Sequence, residues 1–210
     1  MGTIDSLKWR YAVKKFDADK MLSEEKINIV KTAFNLTATS YGLQPITLVI
    51  VSNKVLQNQL VQYSFDQQQV AQASHVLIIC IENEINEDYI SSYFKNVKNI
   101  RGLSNEILDP FKEALIDDFS KKDVQEIKEW SKNQAYLAMG NLLTVCASEK
   151  IDACPMEGFL PEAYDDLLGL AKKGLTSVLA MPIGFRAADD VFASFKKVRK
   201  DMDTSIIEIL

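Results

Sequence analysis

The chain has 210 residues, of which 47% are hydrophobic and 25% charged, so it is long enough for one domain with a sizeable core. Its formal net charge is -5 and its pI is about 5.0, which argues against a general nucleic-acid surface because such a surface needs a basic field. No apolar run approaches the roughly 20 residues of a membrane span. The N-terminus lacks the basic and apolar regions of a targeting segment. We expect a single cytoplasmic domain over residues 1–210, with no nucleic-acid or membrane partner.

The first third of the chain predicts two helices, a strand and a further helix. A short helix covers residues 3–10. A second helix starts at Ser23, whose side chain can cap it while Glu24 and Glu25 suit the positive end of the helix dipole, and it runs to about residue 36. A polar loop over residues 37–43 leads into a β-branched strand at residues 46–51 and a helix at residues 54–63.

The middle of the chain predicts a buried strand followed by long helices. Residues 75–82 are apolar on both faces, which is typical of an interior strand. Charged amphipathic helices are expected at residues 89–97 and 105–119. A long helix covers residues 123–149, and its second half is apolar nearly all round. Such a helix lies in a core or a subunit interface.

The last third predicts a helix at residues 161–170, a strand at residues 176–184 and an apolar ending at residues 205–210. The ending has the character of an edge strand. An exposed apolar strand has to pair with something, and a partner subunit is a natural candidate. Strands and helices do not alternate regularly, which favours an α+β domain. The chain lacks the GxGxxG and GxxxxGK[ST] motifs of dinucleotide-binding and P-loop folds.

The cysteines and the single histidine have simple structural interpretations. Cys80, Cys146 and Cys154 are odd in number and have no CxxC or metal-ligand spacing. Cys80 lies in an apolar strand and Cys146 in an apolar helix, so we expect both to be buried thiols in a reducing compartment. Cys154 lies beside a Glu-Gly turn, where simple packing and a place near a site both stay open. His75 is predicted to be a structural residue at the entrance of a strand, because no nucleophile motif accompanies it. One histidine and scattered carboxylates give little support for a metal site, and we expect none.

Two features suit an anionic ligand with a flat ring. Arg10, Lys14, Lys197 and Arg199 are the types of cation that bind phosphate oxygens, although solvated surface positions explain isolated basic residues equally well. The turn at Glu157-Gly158 contains a glycine, which permits a positive φ and a close approach of the backbone to a ligand. An ordinary turn is the alternative.

Three of these segments resemble the FMN-dependent nitroreductase family. Residues 10–16, Arg-Tyr-Ala-Val-Lys-Lys-Phe, are similar to its Arg-x-Ser-x-Arg/Lys-x-Phe element, which holds the FMN phosphate and the polar edge of the ring. Residues 155–159 match its Pro-x-Glu-Gly-Phe motif, whose backbone N–H groups reach flavin N5. Lys197 and Arg199 match its Lys-x-Arg phosphate clamp.

Further segments extend the resemblance over almost the full chain. Residues 37–45 resemble the Pro-Ser-Ser-x-Asn-x-Gln-Pro-Trp loop that covers the flavin from the other subunit. Residues 66–75 are similar to the segment that contacts the pyrimidine side, and residues 134–141 resemble the helix of the dimer interface. The cofactor-binding residues that the resemblance implies are Arg10, Tyr11, Ala12, Lys14, Thr39, Ser40, Gly42, Asp66, Gln69, Pro155, Met156, Glu157, Gly158, Lys197 and Arg199.

The chain departs from the family pattern at five places. Ala12 replaces the usual serine, so one phosphate hydroxyl is lost, and Ile46 replaces tryptophan. The loop around Gly42 lacks the usual asparagine. Asp66 stands where asparagine is common, and Gln69 where lysine can occur. An anionic Asp66 near a reduced flavin would be unfavourable unless it is hydrogen-bonded or paired. We expect these changes to affect substrate choice and flavin potential more than FMN binding.

The resemblance implies a homodimeric enzyme with FMN at the subunit interface. Its fold would be a central, mostly antiparallel sheet flanked by helices, with the C-terminal strand exchanged with the partner subunit. NAD(P)H would pass hydride to the flavin, and a nitroaromatic, quinone or similar small-molecule acceptor would then be reduced, in ping-pong order. The flavin carries the chemistry. Two alternatives stay open, which are a flavin-binding relative with different chemistry, such as a dehalogenase or ring-fragmenting enzyme, and a non-enzymatic helical interaction protein.

Overall fold

A computed structural model describes residues 2–210 as helices packed around one sheet. The helices are α1 (Thr3–Trp9), α2 (Glu24–Asn35), α3 (Lys54–Val61), α4 (Gln69–Gln72), α5 (Glu87–Arg101), α6 (Asn105–Ser120), α7 (Val124–Ser148), α8 (Pro161–Leu168) and α9 (Met202–Ser205). The strands are β1 (Ile46–Val51), β2 (His75–Glu82), β3 (Asp152–Ala153) and β4 (Leu175–Gly184).

The sheet has the order β1-β2-β4-β3, and every pairing is antiparallel. Strand β2 is central, with Leu77 opposite Ile50 on one side and Met181 on the other. The β2–β4 register shifts at Ile79/Cys80, where β4 carries one extra residue. Residue Ala12 lies parallel to Ala153, so the N-terminal segment covers the β3 edge of the sheet.

Side-chain alternation along the strands builds a core on each face of the sheet. Leu77, Ile79 and Met181 pack against α2 and α7 on one face. Val76, Ile78, Cys80 and Ala180 pack on the other face, against α3, α4, α8 and the N-terminal segment. Because successive strand residues point to opposite faces, the continuously apolar β2 serves both cores.

Helices α5 and α6 form a hairpin with a smaller apolar cluster of its own. Ile90 and Phe94 of α5 meet Leu115 and Phe119 of α6, and Leu43 closes the cluster from the loop before β1. The cluster continues through Trp130 at the start of α7. The charged amphipathic segment of the sequence is therefore a helical layer beside the sheet, with its polar faces outward.

Most predicted elements agree with the structure, and the capping chemistry explains where they start. The Ser23 hydroxyl accepts a hydrogen bond from the Lys26 amide at the start of α2. At α7, Asp123 and Glu126 form a reciprocal capping box. The α+β class and the antiparallel sheet are confirmed. Helix α4, the two-residue strand β3 and helix α9 were not predicted, because each is shorter than a recognisable periodic pattern.

Within a single subunit, the end of the chain does not form the edge strand that the sequence predicts at residues 205–210. Residues 202–205 are helical, and residues 206–210 belong to no strand in the described part of the chain. Ile206 has an extended backbone (φ -128°, ψ 131°), and Ile207 is exposed. The exchange of this segment with a partner subunit remains a prediction. Among residues 2–210, no helix is both long enough and apolar enough to cross a membrane.

Candidate functional site

The N-terminal segment after α1 runs along the β3 edge of the sheet. Arg10 has strand-like dihedral angles (φ -70°, ψ 145°), and the Val13 amide donates to the Ala153 carbonyl. Val13 is fully buried in a core cluster with residues of β2. This anchoring leaves Arg10, Ala12 and Lys14 lining one cleft.

The C-terminal cations complete a cleft around this segment. The cleft has a volume of about 400 Å³. The sequence-predicted site residues that line it are Arg10, Tyr11, Ala12, Lys14, Lys197 and Arg199. The Lys197 ammonium group donates to the Arg10 carbonyl, which joins the two ends of the chain directly. Phe192 and Phe195 add aromatic surface to the wall.

The cations in the cleft repel one another. Burial lowers the pKa of the Arg10 guanidinium, and the positive charge of Arg199 lowers it further. Burial also lowers the pKa of Lys197, with Arg10 and Arg199 acting in the same direction. Among the described residues, no carboxylate forms an ion pair with Arg10, Lys197 or Arg199. A bound anion would relieve this repulsion.

Arg186 contacts the two aromatic rings on either side of Arg10. The Arg186 guanidinium lies 4.3 Å from the Trp9 ring centroid and 4.6 Å from that of Tyr11. Asp152 accepts from Arg186 Nε at 2.8 Å and from its terminal nitrogen at 2.5 Å. One arginine therefore contacts the rings on both sides of Arg10 through cation–π interactions, while both of its side-chain donors bind the same Asp152 oxygen, Oδ1.

Lys14 connects the cation cleft to a second group of predicted residues. Its Nζ lies 3.8 Å from Cys154 Sγ, and Gln69 Nε2 lies 4.0 Å from that sulfur and from Met156 Sδ. Burial raises the pKa of the Cys154 thiol, while Lys14 opposes this shift. The thiol is fully buried and forms part of the floor beside Lys14.

The turn after Cys154 leaves backbone donors free. Met156 is held in the sheet by two hydrogen bonds with Ala180, at 2.8 and 3.0 Å. Within the part of the chain that the structure describes, the amides of Glu157 and Gly158 donate no hydrogen bond. Pro155 precedes them and has no amide hydrogen. Two adjacent N–H groups are thus available to an acceptor, in line with the interpretation of this turn as a ligand-contacting element.

Gly158 does not use the positive φ that glycine allows, which corrects one part of the sequence argument. The reason for a small residue here is close packing. A Cβ atom at this position would lie 3.3 Å from Gln67 Nε2 and 3.6 Å from the Phe65 ring. Gln67 Nε2 donates to the Gly158 carbonyl at 2.9 Å.

The segment before α4 bends sharply towards this turn. Phe65 and Asp66 both have left-handed φ values, of 51° and 59°. Asp66 is exposed and makes no described side-chain hydrogen bond, whereas Gln69 is buried against Cys154. The structure therefore brings Gln69 to the site and leaves the Asp66 carboxylate in solvent. Among the described residues, the Asp66 carboxylate therefore has neither the hydrogen bond nor the paired charge that would compensate an anion beside a reduced flavin.

The predicted loop at residues 39–42 lies elsewhere in the same subunit. The Ser40 amide donates to Gln134 Oε1 of α7 at 2.8 Å, and Thr39 Oγ1 accepts from the Gln44 amide. None of the described hydrogen bonds joins Thr39, Ser40 or Gly42 to the cleft. Gly42 has a φ of 73°, and a Cβ there would lie 2.5 Å from the Tyr93 hydroxyl, which explains glycine in place of the family's asparagine.

Two residues that matter to the site escaped the sequence analysis. Asp190 accepts hydrogen bonds from Tyr11 and from the amides of Lys14 and Lys15, and Gln67 holds Gly158. Asp190 carries one usable signal, because Asp is a preferred capping residue and Asp190 caps the 3₁₀ turn Val191–Ser194, which precedes the basic cluster. His75 Nδ1 lies 2.8 Å from Ser74 Oγ at the start of β2, and the structural role of this histidine stays a prediction. Among the described residues, no group of acidic, histidine or cysteine side chains could hold a metal ion.

Fold and site together define an α+β protein with a cleft lined by cations from both ends of the chain. The sequence profile of the Nitroreductase family matches residues 7–185. The chain belongs to the nitroreductase family and is therefore an oxidoreductase, as the sequence predicts. It is 27% identical over 212 residues to an oxygen-insensitive NAD(P)H nitroreductase of Salmonella typhimurium, covering 95% of this chain and 96% of the relative. The chain is also 26% identical to an oxygen-insensitive NAD(P)H nitroreductase of Enterobacter cloacae, and the match covers 95% of each of the two chains.

Solved structures confirm the nitroreductase-like fold. A nitroreductase-like protein from Streptococcus mutans superposes with a TM-score of 0.84 at 22% identity, covering 99% of this chain and 97% of that one. A protein from Exiguobacterium sibiricum, designated a nitroreductase and solved in complex with FMN, superposes with a TM-score of 0.82 at 18% identity, covering 100% and 98%.

Proposed function

We propose that this protein is an FMN-dependent NAD(P)H oxidoreductase of the cytoplasm that reduces nitroaromatics, quinones or similar electron-poor acceptors. Relatives from Salmonella and Enterobacter carry the name NAD(P)H nitroreductase, and a structural neighbour binds FMN. NAD(P)H would deliver hydride first, and the acceptor would follow it into the same site, in ping-pong order. The free, buried state of all three cysteines suits a reducing compartment.

The observation that carries this proposal is the uncompensated cation cleft joined to a turn with free amides. FMN has a phosphate of about two negative charges at one end and a flat ring at the other. Arg10, Lys197 and Arg199 fit the phosphate. The cleft of about 400 Å³ is within the usual range for small ligands. Lys14 and the Glu157-Gly158 turn lie on the side where a ring would continue.

When bound, FMN would supply the hydride-accepting atom of the reaction. The chain's own residues would bind and orient it. Arg10, Lys197 and Arg199 would hold the phosphate through charge-assisted hydrogen bonds. Lys14 would supply a cation to stabilise negative charge that develops on reduction. The Glu157 and Gly158 amides are donors that need no reorganisation, because the sheet holds Met156 before them. No side chain is required as an acid or base.

Several features support a homodimer with sites at its interface. On α7, Ala138 and Leu142 face the core, whereas Tyr136 and Leu137 are 48% and 55% exposed in the single chain. A groove of about 850 Å³ runs between α2 and α7 beside this face. An apolar helix face of this kind is typical of a subunit interface. A partner subunit would also bring its own residues 39–42 to the cleft.

The sheet offers a place for the predicted strand exchange. Within residues 2–210, no strand pairs with the outer edge of β1, and its four middle residues are half-buried. The mostly apolar residues 206–210, of which Ile206 is extended, have no sheet partner in their own subunit. If residues 206–210 of the partner subunit paired with β1, the β1 edge and the chain ending would each gain a strand to hydrogen-bond with.

A visible absorption spectrum tests the proposal. The protein is incubated with FMN, separated from free flavin, and then mixed with NADH or NADPH without oxygen. We expect a yellow protein whose flavin bands bleach on addition of at least one nicotinamide and return on addition of a quinone. A protein that stays colourless after incubation with FMN would contradict the assignment, and a yellow protein that never bleaches would contradict the NAD(P)H half-reaction.

A further inference from the structure

Asp190 lies where the N-terminal and C-terminal parts of the cleft meet. Its Oδ2 accepts three hydrogen bonds, from the Tyr11 hydroxyl at 2.9 Å and from the amides of Lys14 and Lys15 at 3.1 and 3.3 Å. Its Oδ1 accepts from the Phe192 amide at 3.2 Å. One carboxylate thus fixes the backbone of Lys14 and caps the short 3₁₀ turn that leads to Lys197 and Arg199.

The neighbouring acidic residue shows what is specific to Asp190. Asp189 has a side chain that is 69% exposed, and its ion pair is with Lys15 at the surface. Asp190 is only 6% exposed. Burial would raise the pKa of Asp190, but the hydrogen bonds from Lys14, Tyr11, Phe192 and Lys15 hold the pKa below its ordinary value. A buried carboxylate that stays ionised has its hydrogen bonds aimed at the charged form.

Tyr11 links Asp190 to a rigid support. The Tyr11 ring stacks on the Arg186 guanidinium, which Asp152 holds in an ion pair through its Oδ1 atom. Burial and the hydrogen bond to Asp190 raise the pKa of the Tyr11 phenol, so this group stays a donor at neutral pH. The contacts therefore run without a break from strand β3, through Arg186 and Tyr11, to Asp190 and the C-terminal segment.

We propose that Asp190 is a positioning residue that holds the two halves of the cation cleft at the spacing a phosphate group requires. The inference rests on the proposed FMN function. Without Asp190, the amides of Lys14, Lys15 and Phe192 lose their acceptor, and repulsion among Arg10, Lys197 and Arg199 separates the two ends of the chain. The residue touches no ligand and acts only through the segments that do.

Charge and position predict opposite effects at this residue. Asp190 is a negative charge beside a site for a phosphate, so a purely electrostatic view predicts that its removal tightens FMN binding. The positioning role predicts that removal weakens FMN binding. The Asn variant separates the two, because its side-chain oxygen can keep the bonds to Tyr11, Lys14 and Lys15 while the charge is lost.

The test compares Asp190→Ala, Asp190→Asn and Asp189→Asn with the wild type. Dissociation constants are measured for FMN and for riboflavin, which lacks the phosphate, by quenching of flavin fluorescence. For Asp190→Ala we expect FMN affinity to fall by about tenfold or more and riboflavin affinity by about threefold or less, in keeping with lost hydrogen bonds that order a charged site. Asp190→Asn stays within about threefold of the wild type for FMN because most bonds remain. Asp189→Asn changes neither.

A second readout follows the backbone in the protein without flavin. Hydrogen exchange of the Lys14, Lys15 and Phe192 amides should accelerate in Asp190→Ala, stay slow at Lys14 and Lys15 in Asp190→Asn, and be unchanged in Asp189→Asn. Far-ultraviolet circular dichroism verifies that each variant is folded. An Asp190→Ala protein that binds FMN as tightly as the wild type or more tightly would overturn the positioning role, as would an equal loss of FMN and riboflavin affinity. If the wild type itself does not bind FMN, the proposed function and its ligand are overturned. If amide hydrogen exchange is unaltered in Asp190→Ala, only the positioning role of Asp190 is overturned.

Discussion

The side-chain amide of Gln67 donates a 2.9 Å hydrogen bond to the carbonyl oxygen of Gly158, which lies 91 residues further along the chain. Gln67 Oε1 accepts in turn from Gln69 Nε2 at 2.8 Å, and Gln69 contacts Cys154 and Met156. Two glutamines therefore connect the floor beside Lys14 to the turn with the free amides. The Gln67 bond therefore adds a second support for those amides, beside the two sheet hydrogen bonds of Met156 that precede them. The neighbouring Glu157 side chain accepts from the Tyr136 hydroxyl of α7 at 2.8 Å.

Gln67→Ala should slow hydride transfer from NAD(P)H. It removes the donor to Gly158 and the acceptor for Gln69, so the turn gains freedom at the point where the ring is held. We expect the rate of flavin bleaching to fall by about tenfold, because small misplacements of reacting groups are costly. The free energy of unfolding should fall by about 1 kcal/mol. Stopped-flow absorbance and urea unfolding measure the two effects.

Gln68→Ala is the matched control for that experiment. Its side chain is exposed, and its amide reaches only the Asp66 carbonyl, at 3.4 Å. We expect wild-type bleaching rates and stability. Equal rates in Gln67→Ala and Gln68→Ala would show that the Gln67–Gly158 bond has no part in the reaction.

The elements of the fold follow from local patterns, but the contacts that shape the site do not. Strand β2 is visible in sequence because its apolar run serves two cores, and α2 because Ser23 caps it. The bonds from Asp190 to Lys14 and from Gln67 to Gly158 join polar residues far apart in the chain, and no periodicity marks such pairs. The motif pointed to Gly158 as a glycine that allows a positive φ, but its φ in the structure is not positive. Its real constraint is the packing of Phe65 and Gln67, which exists only after folding.

Arg199→Ala should weaken FMN binding without a matching effect on riboflavin. Arg199 lines the cleft and lowers the pKa of Arg10 through its charge, so it lies at the proposed phosphate position. Loss of a charge-assisted hydrogen bond corresponds to about 1.5–3 kcal/mol, or roughly 10- to 100-fold in affinity. Isothermal titration with each flavin measures the effect. The exposed Lys200 lies outside the cleft lining, and Lys200→Ala serves as the control with little change. Equal FMN affinity in both variants would remove Arg199 from the phosphate site.

His75 should titrate below its ordinary pKa and make stability depend on pH. Burial, with Lys54 and Lys31 nearby, lowers the pKa of His75 from 6.5. The unfolded chain therefore binds the proton first as pH falls. The contribution of His75 to the free energy of unfolding is present above pH 6.5 and is lost as pH falls from there towards the folded-state pKa. As the only histidine, it should give one imidazole resonance with a midpoint below 6.5 in an NMR titration.

The stability effect needs a variant without the imidazole. In His75→Gln, the loss of stability between pH 7 and about pH 5.5 should be smaller than in the wild type, because the proton-binding group is gone. Urea unfolding at the two pH values measures the difference. A midpoint at or above 6.5, or identical pH dependence in the two proteins, would contradict the assignment of His75 as a half-buried residue with a lowered pKa.

Leu137→Glu should convert the proposed dimer to monomers and abolish FMN retention. Leu137 is 55% exposed on the apolar face of α7, and a carboxylate there would have to lose its water to be covered by a second subunit. Val55→Glu is the matched control, since Val55 is 67% exposed on α3, which packs on the opposite face of the sheet. Light scattering after size exclusion gives the mass, and the flavin bands of the same fraction give FMN content. A Leu137→Glu protein that remains dimeric would place the interface elsewhere, whereas a monomer that keeps FMN would show that one chain completes the site without its partner.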